Sequence, residues 1–175
     1  SNDRDLMPVL ELAARDGRPL VIVAEDVTGE ALAACIMNAI RHRETGMGMT
    51  VSVIKAPRYG EELRAILQDL ATVTGATFFS RMSGKKIKET EMTDFGLASR
   101  VEATQKFTTI IDGKGNQEDI NTTIEGLKSM LKEADTHRES EQIQGRISRM
   151  ASGVAVINVG GATSVEMGER KDRIE

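Results

Sequence analysis

The stretch LVIVAEDVTGEALAACIMN, residues 20–38, contains the two elements that decide the fold. Residues 20–23 form a continuous aliphatic run, which predicts a strand covered on both faces, as in a parallel sheet. Glu25 and Asp26 end that strand, and Thr28 is a candidate N-cap for the helix that follows. The stretch therefore predicts a strand–turn–helix unit of the α/β class.

The predicted helix carries more apolar surface than one packed face requires. Its small residues recur at helical spacing on one side, which suits close packing against a sheet, and larger apolar residues occupy a neighbouring sector. The small side consists of Ala31, Ala34, Cys35 and Asn38, and the larger sector of Leu32, Ile36, Met37 and Ile40. Two such sides predict two partners, of which the sheet is one.

A second short helix is predicted upstream, where Pro8 stands early enough for its missing N–H to cost nothing. Its inward positions are Leu6, Val9, Leu10 and Ala13, and Met7 and Leu10 flank them. Leftover Met and Leu side chains on two short helices predict an exposed apolar groove, and such grooves mark binding sites. Spacing alone does not distinguish an exposed groove from the alternative, in which all of these residues belong to the core.

Composition limits the function classes. The 175 residues suffice for one α/β domain with its own core, which aliphatic side chains and nine Met must fill because aromatic residues make up only 3%. Cys35 is the single cysteine, which excludes an internal disulfide and agrees with a reducing compartment. Without a secretory signal, a membrane-length apolar run or a basic excess (net charge -4, pI about 5.4), we expect a soluble cytoplasmic protein with no nucleic-acid or membrane partner.

The rest of the chain alternates strands and helices, an order that favours a parallel sheet flanked by helices. Further strands are predicted at residues 51–55, 77–80, 99–104 and 107–111, and helices at residues 61–74, 116–134 and 138–151. The last two helices are predicted to form an antiparallel hairpin with charged outer faces. Residues 84–94 are predicted to be loop or sheet edge.

Two features are compatible with enzyme chemistry. Glu25 and Asp26 follow the carboxyl end of a strand, where α/β enzymes hold a metal or a general base. The Asp112-Gly113 turn resembles a phosphate-binding glycine loop, although Glu118 replaces the third glycine. The two histidines and the one cysteine lack metal-ligand spacing. A small α/β enzyme that binds a phosphorylated ligand is therefore the alternative function.

Four blocks, in order along the chain, resemble a group I (GroEL-type) chaperonin: LMPVLELAARDGRPLVIVAEDVTGEALAACIMN, IKAPRYGEELRAILQDLATVTGAT, TTIIDGKG and SGVAVINVGGATSVEM. The likeness is collinear over essentially the whole chain. It implies an α/β apical domain without its first strands at residues 1–152, with a sheet, flanking helices and a C-terminal helical hairpin. Residues 153–175 would then hold a hinge and the start of the returning intermediate-domain segment.

In that family the apical domain binds non-native polypeptides and a lid-like co-chaperonin through an apolar groove, as part of an ATP-driven, homo-oligomeric ring. Carried over residue by residue, the polypeptide-binding positions fall on Met7, Leu10, Leu32, Ile36 and Met37, with Asn38 beside them. The hinge falls on Gly153, for which the residues alone equally allow a helix cap.

The resemblance implies no catalytic, metal-binding or cofactor-binding residue within this chain. ATP and Mg²⁺ would bind elsewhere in the parent chain, and the family's catalytic aspartate would follow Glu175. The implied location is the cytoplasm, with the mitochondrial matrix or the plastid stroma as alternatives.

Three places depart from the family pattern, of which the mildest is Tyr59, where the family has a phenylalanine. Residues 42–50 make a connection longer than the family's usual one, which either alters the groove or is a tolerated surface insertion. Ser164 stands where the family usually has a glutamate that pairs with a neighbouring subunit, so the resemblance leaves that contact open.

Overall fold

The computed structural model describes residues 3–27, 29–47, 49–56, 60–104 and 106–158, and within them the fold is mixed α/β. The elements in chain order are α1 (Asp3–Asp16), β1 (Leu20–Ala24), α2 (Gly29–Thr45), β2 (Val51–Lys55), α3 (Gly60–Thr74), β3 (Ala98–Ala103), β4 (Phe107–Gly113), α4 (Gln117–Glu133), α5 (His137–Ala151) and β5 (Val154–Asn158). Two short 3₁₀ turns, Ile87–Glu89 and Met92–Asp94, lie between α3 and β3.

β1 and β2 form a parallel pair, with Leu20 opposite Val51 and Ala24 opposite Lys55. Parallel strands need a crossover connection, and α2 provides it. One face of the pair packs against α1 and α2. The buried residues of this core are Leu6, Val9, Leu10, Ala13, Leu20, Ala31, Cys35, Met49, Val51 and Val53. The predicted strand at residues 20–23 and the helix after it are confirmed.

β3, β4 and β5 form a separate antiparallel sheet in that order. Its inner face carries Ile110, Ala155 and Ile157, which pack with Leu70 of α3. Val23 of β1 also packs against this cluster. Residues of both sheets and of α3 therefore share one core.

The predicted strand at residues 77–80 is wrong. The Thr77 N–H donates to the Asp94 carbonyl at 2.9 Å, and Ser80 accepts from the Ser83 N–H in a turn. These groups bond to the connection that follows α3, whereas a strand would need a neighbouring strand. The sequence predicts one sheet, whereas the described residues form two small sheets.

Asp94 holds the connection between α3 and β3 in place. Its carboxylate accepts hydrogen bonds from Lys85 at 2.6 Å, from the Thr77 hydroxyl at 2.7 Å and from the Glu91 N–H at 2.8 Å. Burial is the largest single influence and raises the pKa of Asp94, but the three donors together hold that pKa below its usual value. The contribution of Asp94 to stability is therefore present above pH of about 4 and is lost as the pH falls further.

α4 and α5 form the predicted helical hairpin. The Asn116 side chain caps α4 by accepting the N–H groups of Glu118 and Asp119, and the Thr136 hydroxyl caps α5 by accepting that of Glu139. Their shared core, which also takes in α3, contains Val73, Ile120, Leu127, Ile143 and Met150.

A buried ion pair attaches the hairpin to α3. Arg146 donates through Nε and Nη2 to the two carboxylate oxygens of Asp69 at 2.8 and 3.0 Å. The side chains of Asp69 and Arg146 are 6% and 21% exposed. Because a buried carboxylate without its partner is costly, this bidentate pair fixes α5 against α3.

We expect Arg146→Met to lower the free energy of unfolding by about 3–5 kcal/mol, because Asp69 stays buried without a counter-charge. The double variant Asp69→Leu with Arg146→Met should lose much less, since no unpaired charge remains. Urea unfolding followed by circular dichroism measures both. Lys128→Met, which removes an exposed pair with Glu125, is the control and should cost under about 1 kcal/mol. A double variant as unstable as the single one would contradict this account.

Candidate functional site

α1 and α2 pack beside each other and leave apolar side chains outside the core. Met37 is 65% exposed, Met7 45% and Ile40 38%, while Leu32 and Ile36 are half-buried. We call these five residues the α1–α2 surface. Leu32, Ile36 and Ile40 recur every four residues along α2, so they follow one side of the helix. The larger apolar sector that the sequence predicts is present.

The other side of α2 packs into the core. Ala31 is 2% and Cys35 0% exposed, and Ala34 is half-buried against the same cluster. Burial raises the pKa of the Cys35 thiol, so this cysteine stays protonated and acts as a small apolar residue. α2 therefore has one side fixed against the sheet and another side free for a partner.

Leu10 does not belong to the α1–α2 surface. It is 3% exposed and lies in the core with Leu6 and Val9. Positions 6, 9, 10 and 13 are separated by three and four residues, so they share the buried face of α1. Met7 lies at the edge of that face and Leu10 within it. The prediction that Leu10 flanks an exposed groove is wrong.

Asn38 lies at the margin of the site. Its side chain is half-buried, and Nδ2 donates to the Ala34 carbonyl at 2.9 Å, one turn earlier on α2. The side-chain amide thus contacts its own helix, on the side that also carries Ala34 and Cys35. Its proposed place beside the binding residues stays a prediction.

The longer connection at residues 42–50 is partly helix, because α2 continues to Thr45. Gly46 then ends the helix with φ 67°, and its N–H donates to the His42 carbonyl at 2.9 Å. Met49 is 4% exposed in the core, whereas Met47 is 61% exposed. Within this connection, residues 42–45 thus belong to α2, and Met47 is exposed just after the helix ends.

Ile40 and Met47 are the residues that the family resemblance did not transfer. Helical spacing from Ile36 is the signal that marks Ile40, since it lies four positions further along the same side of α2. No sequence pattern marks Met47, because it is exposed only by virtue of lying just after the end of α2 at Thr45.

The Asp112-Gly113 turn, the first half of the alternative enzyme site, is occupied by structural contacts. The N–H groups of Asp112, Lys114 and Gly115 donate to the carbonyls of Gly153, Leu97 and Val73 at 2.9, 2.7 and 2.8 Å. A phosphate loop needs such amides free to face its ligand. The turn in this conformation provides no phosphate cradle.

Close approach to α3 explains the glycines of this turn. A Cβ on Gly115 would lie 2.1 Å from the Thr72 carbonyl oxygen, and one on Gly113 would lie 2.5 Å from that of Val73. Asp112 has φ 54°, and hydrogen bonds from Lys114 and Ser99 lower the pKa of its carboxyl below the usual value. The turn packs the end of β4 against the C-terminal end of α3.

Glu25 and Asp26, the second half of that site, lie elsewhere. They follow β1 and line a wide cleft to which Asp112 and Gly113 do not contribute. Asp26 is exposed and lies 3.7 Å from Lys55 Nζ. Across the described ranges, no three His, Cys, Asp or Glu residues group together in a way that could hold a metal ion.

Gly153 follows α5 with φ 72°, and a Cβ there would meet no atom within 4 Å. A glycine with a left-handed backbone just after a helix is a common C-terminal cap, so Gly153 caps α5, as the sequence alone allowed. β5 begins at Val154 and pairs with β4 through Asn158, so strand pairing continues past the predicted limit at residues 152/153. The hinge and the domain limit stay predictions, and residues 159–175, with Ser164, lie outside the described part.

None of the helices in the described part of the chain is long and apolar enough to cross a membrane.

The arrangement of helices and small sheets is a chaperonin-like fold. The chain is similar to the crystal structure of the chaperonin gp146 from the bacteriophage EL 2 (Pseudomonas aeruginosa) in the presence of ATP-BeFx, with a TM-score of 0.54 and 18% sequence identity. The match covers 98% of this chain and 34% of that chain, so this chain spans about a third of the length of that chaperonin. No protein-family model matches the sequence. At this identity the likeness shows the fold.

We expect Gly115→Ala to destabilise the chain strongly, because the added Cβ meets the Thr72 and Val73 carbonyls at the end of α3. Gly126→Ala, on exposed α4 with open space around the Cβ position, is the matched control and should stabilise by up to about 1 kcal/mol. Thermal unfolding measures both. Wild-type stability in Gly115→Ala would show that the turn does not need this close contact.

Proposed function

We propose that this chain binds non-native polypeptides through the α1–α2 surface, as the polypeptide-binding part of a chaperonin. The observation that carries this proposal is the exposure of Met7, Met37 and Ile40 on two adjacent helices of a chaperonin-like fold. Monomeric proteins rarely leave neighbouring large apolar side chains in water unless a partner covers them.

Binding would follow from burial of apolar surface. A non-native chain exposes side chains that a folded protein buries, and each Å² of apolar surface removed from water contributes about 25 cal/mol. The rigid partner is α2, because Ala31 and Cys35 are fully buried and hold it against the sheet. Because this surface is preformed, the client loses conformational entropy on binding and α2 loses little.

Methionine suits the surface to varied clients. Met7 and Met37 on this surface, and Met47 just beyond the end of α2, supply flexible thioether side chains that can repack around different shapes. Charged residues of both signs lie one helical turn from the exposed apolar residues: Glu11 follows Met7, Arg41 follows Met37 and Glu44 follows Ile40. This mixed rim favours neither acidic nor basic clients, so apolar content would decide binding.

The likeness to a chaperonin supports a wider proposal for the parent protein. The parent protein would be a homo-oligomeric ring in which several copies of this surface face one cavity, and their weak contacts would add as avidity. ATP and Mg²⁺ would bind another part of the parent chain, and a co-chaperonin lid would compete for the α1–α2 surface. The cytoplasm is the proposed location.

We expect Met37→Ser and Ile36→Ser each to weaken binding of a permanently unfolded, fluorescently labelled protein by about tenfold, because each removes an apolar contact of about 1.5 kcal/mol. Fluorescence anisotropy measures the affinity. Met82→Ser is the matched control, since Met82 is 78% exposed but lies in the connection after α3, and binding should be unchanged.

The fold should survive these changes, since Met37 and Ile36 lie outside the buried core. A melting temperature lowered as much as by Ile22→Ala, whose side chain packs against the core, would contradict this. Equal loss of binding in Met82→Ser would show that general stickiness, rather than the α1–α2 surface, accounts for the interaction.

The hinge role of Gly153 has a separate test in the parent ring. Gly153→Val should lower the free energy of unfolding by about 1–2 kcal/mol, because a β-branched residue does not tolerate φ 72°. Gly153→Asn should keep the cap, since Asn tolerates this conformation. If Gly153 is also a hinge, the Asn variant should capture clients normally but release them more slowly after nucleotide binding. Normal release would leave Gly153 as a cap alone.

A further inference from the structure

Two of the five residues of the α1–α2 surface, Met7 and Met37, carry a sulfur atom that oxidants attack. Their side chains are 45% and 65% exposed, so a small oxidant in water reaches them. Oxidation of methionine gives the sulfoxide, which turns a flexible apolar side chain into a polar one. The other three residues of the surface have hydrocarbon side chains without an oxidisable group. The two methionines are therefore the part of this surface whose polarity chemistry can change.

The methionines that support the fold are protected from the same reaction. Met49 and Met150 are each 4% exposed, the first in the core beneath α1 and α2 and the second in the core of the helical hairpin. Sulfoxide at either position would place a polar oxygen in a packed core. Because an oxidant in water does not reach them while the chain is folded, oxidation changes the α1–α2 surface before it disturbs the cores.

The single thiol of the chain does not compete for the oxidant. Peroxides react with an accessible thiolate. Cys35 has no exposed surface, and burial raises the pKa of its thiol, so it is both covered and protonated. Within the described ranges, the sulfur atoms open to a peroxide are therefore those of the exposed methionines.

The neighbourhood of Met37 suits the oxidised form. Arg41 is exposed and lies four residues further along α2, so the two side chains are neighbours on the helix surface. Its guanidinium is a hydrogen-bond donor within reach of a sulfoxide oxygen at Met37, which can only accept. An apolar client side chain covering that oxygen would remove it from water without offering a donor, which is costly.

We propose that Met7 and Met37 are oxidation sites that regulate the α1–α2 surface: a hydroperoxide converts them to sulfoxides, and client binding weakens while the fold is kept. The inference rests on the proposed client binding. In the reaction, a lone pair of the thioether sulfur attacks one peroxide oxygen, the O–O bond breaks and an S–O bond forms. Sulfur loses two electrons, and hydrogen peroxide gains them and leaves as water.

The reverse reaction makes the change a switch. A methionine sulfoxide reductase removes the oxygen as water, with two electrons from a dithiol that becomes a disulfide. The chain itself cannot supply those electrons, because its single thiol is buried. The state of the surface would thus follow the balance between peroxide and dithiol around the protein.

The first measurement is a map of the oxidised positions. The 175-residue chain is treated with hydrogen peroxide, catalase removes the excess, and peptides are weighed by mass spectrometry. Met7 and Met37 should each carry one added oxygen, as should Met82, which is 78% exposed in the connection after α3. Met49 and Met150 should remain unmodified, and the circular dichroism spectrum should not change.

The second measurement is the affinity for a labelled, permanently unfolded protein that itself lacks Met and Cys. Fluorescence anisotropy should show binding to the oxidised chain weakened by about tenfold or more, because two apolar contacts become polar. Treatment with methionine sulfoxide reductases and a dithiol should restore the affinity to within about twofold of the untreated chain.

Two double variants show whether these two positions are responsible. Met7→Leu with Met37→Leu keeps the apolar volume, so it should bind the unfolded protein within about twofold of the original chain, and peroxide should then have little effect on that binding. Met82→Leu with Met130→Leu removes exposed methionines outside the α1–α2 surface. This matched control should lose affinity on oxidation as much as the original chain does.

The outcomes separate this inference from the proposed function. A chain that fails to bind the unfolded protein before any peroxide is added would overturn the proposed function and this inference together. Normal binding before and after oxidation would overturn this inference alone. So would an equal loss of affinity in the Met7→Leu, Met37→Leu variant, a loss that the reductases do not reverse, or unfolding of the oxidised chain.

Discussion

The packing of α3 is the constraint on which the rest of this structure depends. Within one turn of that helix, Leu70 enters the core of the antiparallel sheet, Val73 enters the core of the helical hairpin, and Asp69 binds Arg146 of α5. The glycine turn after β4 closes on the C-terminal end of the same helix. Leu70 shares one core with the antiparallel sheet and with Val23 of β1, and Val73 shares another with the hairpin, so α3 connects these elements. A substitution that displaces α3 would therefore disturb the packing of both sheets and of the hairpin.

One side of α2 packs in the core, and another side is exposed to solvent. Its small side packs closely enough that Cys35 has no exposed surface, so the backbone of the helix is held firmly. Its larger side then presents Met37 and Ile40 without having to contribute to stability. Such a separation allows the outward residues to vary with the partner while the inward ones keep the fold, and it is a physical reason to expect adaptable binding from a rigid element.

The sequence predicted elements whose patterns are local and missed features that depend on neighbours. The runs at residues 20–23 and 51–55 and the helical spacing of α4 and α5 led to correct elements, because periodicity is set within each segment. Residues 77–80 have strand composition but form none, since pairing needs an adjacent strand. Leu10 was assigned both to the inward positions of α1 and to the residues that flank the groove, and packing places it inside. The α1–α2 surface was anticipated from surplus apolar residues; its extent toward Met47 required knowing where α2 ends.

The burial of Cys35 has a practical consequence for the study of motion in this domain. It is the single thiol in the chain, it is completely covered, and its raised pKa keeps it in the unreactive form. A thiol reagent can reach it only when α2 separates from the sheet. The rate of labelling would therefore measure how often the contact between α2 and the sheet opens. No other thiol would contribute to the signal, and no cysteine would have to be introduced. Labelling rates compared with and without an added unfolded polypeptide would test whether the proposed binding tightens or loosens the contact between α2 and the sheet.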